Sequence, residues 1–119
     1  MIESLGNALS GMKSFTLKKQ SHANNIANMT TGGYSSVRVT MRENPEGGVS
    51  VVAGRPGQTV PDGRDGYVNG AADDVDSPSD VDPVTEITES MAADAGFSMN
   101  AVAARTADEM LGTVIDIKQ

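Results

Sequence analysis

The sequence predicts a mainly α-helical chain with a small β part. Two long terminal helices form an antiparallel, coiled-coil-like pair, and a short β-hairpin and a Gly/Pro/Asp-rich loop lie between them. Three observations carry that expectation. Apolar residues recur at three- and four-residue steps at both ends of the chain. One short middle stretch alternates with period two. Most of the thirteen Gly and five Pro crowd between positions 32 and 78. With aromatics at 3% of 119 residues, large rigid groups that could fill a deep core are scarce, and the length allows one small domain.

The first segment, 1–31, reads as a helix from Ile2 to about Met29. Ile2, Leu5, Leu9, Met12 and Phe15 set the stripe, and Ala23, Ile26 and Met29 resume it. Lys18, Lys19, Gln20 and His22 interrupt it, and His22 is expected on a solvated face. At ~1.5 Å per residue the helix is roughly 40 Å long. So small a chain offers too few apolar neighbours to bury it, which implies a partner. Asn24, Asn25 and Asn28 are unexpected within a helix, because the side chain competes for backbone hydrogen bonds.

The second segment, 32–82, opens with Val37, Val39 and Met41 alternating with Ser36, Arg38 and Thr40, a strand pattern starting at about Tyr34. "ENPEGG" supplies a turn and "VSVVAG" a returning strand. A lone hairpin is marginal in water, so this one is expected to pack on another element. The run from Arg55 to Asp80 is rich in Gly, Pro and Asp and reads as a loop. The third segment, 83–119, begins with Asp82 as N-cap and Pro83 at the first helical position. Val84, Ile87, Met91, Ala95, Met99, Val102, Thr106, Met110, Val114 and Ile117 then form one stripe. Glu86, Glu89 and Asp94 near its start and Lys118 near its end suit the helix dipole. Gly96 and Gly112 each weaken this helix by about 1 kcal/mol.

Charge is uneven. Residues 1–42 carry five cations against Glu3, whereas 43–119 carry fifteen acids against four cations. That asymmetry suits complementarity in an assembly, and the acidic total argues against nucleic-acid binding. There is no Cys, so no thiolate chemistry. A single His cannot build a His cluster or a catalytic triad, and no phosphate-cradling glycine loop precedes a helix. Neither an enzyme acting on a small-molecule substrate nor a cofactor is expected. Asp73, Asp74, Asp76, Asp80 and Asp82 lack the Gly and terminal Glu of an EF-hand calcium loop, so no metal site is assigned. No apolar run approaches the ~20 residues of a membrane span. No basic segment followed by an apolar one marks a secretory signal.

The stretch "ANNIANMTTGGY", Ala23 to Tyr34, resembles the N-terminal signature of the axial proteins of the bacterial flagellum, the rod and hook family. That signature runs Ala-Asn-Asn-Ile-Ala-Asn, two variable positions, Thr, any residue, Gly-Tyr. It falls here on Ala23, Asn24, Asn25, Ile26, Ala27, Asn28, Thr31, Gly33 and Tyr34. The C-terminal segment is similar to the family's C-terminal helix, with Asn100 and "TADEML", Thr106 to Leu111, in register. Where the family usually carries Arg-x-Tyr-x-x-Asn, this chain has Ala95, Phe97 and Asn100. "DGYVNGAADDVD" resembles the lead-in to that helix in proximal rod proteins.

The resemblance implies a non-enzymatic structural subunit of the basal-body rod. Such a subunit polymerises through its terminal helices into the drive shaft and the wall of the export channel. The implied partners are other flagellar rod proteins, copies of itself and the flagellar export apparatus. The implied location is the periplasmic rod, reached without a cleaved signal peptide. The expected subunit contacts are Leu5, Leu9, Met12, Asn24, Asn25, Ile26 and Asn28 against Met99, Val102, Thr106, Met110 and Val114, with the Asn run satisfied only between subunits. The alternative is a soluble helical-hairpin adaptor or export chaperone that does not polymerise.

Overall fold

The computed structural model describes residues 2–55 and 77–116. Four elements follow in chain order: α1 (Ile2–Ala27), β1 (Arg38–Glu43), β2 (Val49–Gly54) and α2 (Pro83–Asp116). The two helices lie antiparallel. Asn100 rests on Gly11 and the Phe15 ring on Gly96, while Lys19 meets Asp94 and His22 meets Glu86 further along. At about 1.5 Å per residue, α2 is the longer rod and continues past the N-terminal end of α1. Most of the Gly/Pro/Asp-rich loop lies outside the described residues, as do Asp73, Asp74, Asp76, Ile117 and Lys118.

The start of α2 follows from its cap. Asp82 Oδ1 accepts the Val84 N–H at 3.1 Å, and Asp82 Oδ2 accepts the Thr85 hydroxyl at 2.6 Å. These bonds hold the Asp82 carboxyl below its ordinary value. The hairpin pairs antiparallel in the register Arg38↔Gly54 to Glu43↔Val49. Gly47 and Gly48 turn it with φ of 96° and 82°, values that L side chains rarely adopt. The hairpin packs along α1: Ser10 Oγ accepts the Val49 N–H at 3.1 Å, and an added Cβ on Gly48 would collide with Ser10.

Two expectations need correction. The first strand begins at Arg38 rather than near Tyr34. Tyr34 N–H closes a turn on the Thr31 carbonyl, and two of the N–H groups that follow are taken by side chains instead of a neighbouring strand: Ser36 N–H by Asp80 Oδ1 at 2.6 Å, Val37 N–H by Asn25 Oδ1 at 2.8 Å. His22 is not on a solvated face. It is 7% exposed, and its Nδ1 lies against the Glu86 carboxylate.

The helices also pair through an unexpected face. Among the described residues, the buried apolar side chains are Ala8, Ala93 and Ala107. Ser14, Ser21, His22, Asn25, Ser36 and Glu86 are buried beside them. On α2 the line toward α1 is Glu86, Ala93, Gly96, Asn100 and Ala107, all small or polar. The apolar stripe Val84, Ile87, Met91, Met99, Val102 occupies roughly the opposite side of the same helix, about half a turn away at 3.6 residues per turn. Small residues let the backbones approach closely, and Phe15 fills the notch left by Gly96.

Candidate assembly surface

Large apolar side chains therefore face outward. On α1, Ile2, Leu5, Leu9 and Leu17 are exposed; on α2, Val84, Ile87, Met91, Met99, Val102, Met110, Val114 and Ile115 are exposed. Met99 is 72% and Val102 65% exposed. Scattered surface leucines are ordinary, whereas a stripe held at three- and four-residue steps along one helix face is a candidate contact surface. Fully burying one such side chain contributes about 1.5–3 kcal/mol.

The residues singled out from the sequence separate into two groups. Leu5, Leu9, Asn24, Met99, Val102, Thr106, Met110 and Val114 are exposed, and Met12, Ile26 and Asn28 are half-buried. Asn25 stands apart at 0% exposure. Its Oδ1 accepts the Val37 N–H at 2.8 Å and the Tyr34 hydroxyl at 3.0 Å. Its Nδ2 donates to the Val37 carbonyl at 2.9 Å and to Glu86 Oε2 at 3.1 Å. The expectation that the Asn run is satisfied only between subunits does not hold for Asn25, whose amide is fully bonded within the chain. Asn28 Nδ2 donates to the Asn24 carbonyl at 2.9 Å, closing the end of α1. Gly33, at φ 68°, then reverses the chain so that Tyr34 reaches back to Asn25.

This joint was missed at the level of side chains. Ser21 Oγ donates to the Val37 carbonyl at 2.6 Å, and Glu86 Oε2 lies 2.5 Å from His22 Nδ1. His22 and Glu86 are 64 positions apart, so local pattern carries no sign of their meeting; the break in the apolar stripe at Lys18–His22 was the one available hint. The rim is ionic. Lys18 Nζ meets Glu89 Oε2 at 2.5 Å, and the hydrogen bond and charge of Lys18 hold the Glu89 carboxyl below its ordinary value. Burial raises the Tyr34 phenol, with Glu86 and Asp80 adding to the rise and Arg55 opposing it. Lys19 and Asp94 pair at 2.6 Å with both side chains half exposed, an arrangement worth little to stability.

Among the described residues no three His, Cys, Asp or Glu side chains gather as a metal site, and no helix is long and apolar enough to cross a membrane. The arrangement holds two rods and a hairpin in fixed relation and presents apolar stripes outward. No curated protein matches the chain. Residues 77–117, about a third of the chain and including all of α2, match the family described as flagellar basal body rod FlgEFG protein C-terminal.

Proposed function

We propose that the chain is a structural, non-enzymatic subunit of the bacterial flagellar basal-body rod, most like the proximal rod protein FlgC. It polymerises with copies of itself and with other rod proteins through its terminal helices, building the periplasmic drive shaft and the wall of its export channel. It reaches that position through the flagellar export apparatus without a cleaved signal peptide. The observation that carries the reading is the inverted helix pair, in which small and polar residues close α1 on α2 and large apolar residues remain outside. The contact residues are Leu5, Leu9, Met12, Asn24, Ile26 and Asn28 on α1 with Met99, Val102, Thr106, Met110 and Val114 on α2. Asn25 supports them from within by fixing the end of α1. Folding and assembly are coupled, because the helices gain most of their burial when a neighbour covers the stripes.

The test is sedimentation of the full chain, alone and with candidate rod proteins, for the natural sequence and for Met99→Glu/Val102→Glu. Larger species that form with the natural sequence and vanish in the variant, at unchanged monomer helix content, are expected. A chain that stays monomeric with every rod partner contradicts the proposal and favours the non-polymerising adaptor.

A further inference from the structure

The buried ionisable pair at the α1–α2 joint has an incomplete hydrogen-bond set. His22 Nδ1 is 2.5 Å from Glu86 Oε2. A carboxylate oxygen can only accept, so Nδ1 carries the hydrogen. His22 Nε2 is buried with no hydrogen-bond partner, and Glu89 Oε2 stands 3.8 Å from it. With His22 neutral, Nε2 presents a lone pair toward a carboxylate, and Glu86, 5% exposed, is a buried anion facing an uncharged ring. A proton on Nε2 removes both faults, turning the lone pair into an N–H directed at Glu89 and giving Glu86 a counter-ion.

We propose that His22 is a proton-operated latch: taking a second proton from solvent at Nε2, it bridges Glu86 and Glu89 and tightens the joint that locks α1, α2 and the start of the hairpin together. The surrounding charges suit the role. Lys18 from α1 holds Glu89 ionised as the acceptor. Arg38 from β1 lies close enough to act on Glu89 and borders the same cleft, about 440 Å³, as His22 and both glutamates. Tyr34 reaches the cluster through Asn25, and Asp80 binds the Ser36 N–H beside it. The added stability is present on the acid side and is lost as pH rises through the imidazole range, about pH 5 to 8. The latch stands on the intrachain joint alone and is independent of what covers the outer faces.

Thermal unfolding of the full chain by far-UV circular dichroism, from pH 5.5 to 8.0, tests it with the natural sequence, His22→Gln and Glu89→Gln. The natural chain is expected to lose about 4–8 °C of melting midpoint across that range. His22→Gln should abolish the slope and Glu89→Gln reduce it, with both ring nitrogens protonated at pH 5.5 by ¹⁵N NMR. A natural chain whose profile parallels His22→Gln overturns the proposal. If His22→Gln does not fold, a full slope retained in Glu89→Gln overturns it equally.

Discussion

Asn25 and Asn24 are neighbours with opposite environments. Asn25 is fully buried and its side chain makes four hydrogen bonds, to the backbone of Val37, to Tyr34 and to Glu86. Replacing it with Ala strands the Val37 N–H and removes a donor from a buried carboxylate. The expected loss is about 3 kcal/mol, read from the urea unfolding midpoint of the full chain. Asn24 is exposed, so Asn24→Ala should change monomer stability by less than about 0.5 kcal/mol while weakening assembly. Asp82 makes a third contrast. Its carboxyl is held below the ordinary value by Thr85 and Val84, so its capping contribution is present above the unfolded value of 3.8 and fades as pH falls through the lower folded value. NMR shifts of the Val84 and Thr85 amides should record fraying of α2 in that acid range. Asp82→Asn, still a capping residue, should remove the pH dependence.

At the scale of an element, the glycines of α2 look alike in sequence and differ in surroundings. Gly96 receives the Phe15 ring, whereas nothing lies within 4 Å of a Cβ built on Gly112. Gly112→Ala should raise monomer helix stability by up to about 1 kcal/mol. Gly96→Ala should lower the melting midpoint despite its better helix propensity, because a rigid ring must move aside; differential scanning calorimetry of the two variants checks both signs. The helices, the hairpin and the Asp82–Pro83 start of α2 were legible because capping, turn glycines and period are local signals. Which face of α2 meets α1 was not. Periodicity reports that an apolar stripe needs burial and leaves open whether the same chain or another buries it. The late start of β1 was hidden for a related reason, since Asn25 and Asp80 take the backbone groups of Ser36 and Val37 from distant positions.

For the whole molecule, one chain closes a polar, hydrogen-bonded joint and leaves its large side chains outside. The match over residues 77–117 covers the helix that carries the longer exposed stripe. A helix pair with an alanine-based buried core is marginal by itself, and the proposed assembly would add the burial that neighbours supply. Amide hydrogen exchange across Ile2–Ala27 and Pro83–Asp116, in the dilute chain and after mixing with rod proteins, tests that claim most directly. The account predicts fast exchange in the dilute chain and strong protection of both helices on assembly, greatest along the backbone bearing Met99, Val102 and Met110. Strong protection in the dilute chain, unchanged by every rod partner, would contradict it.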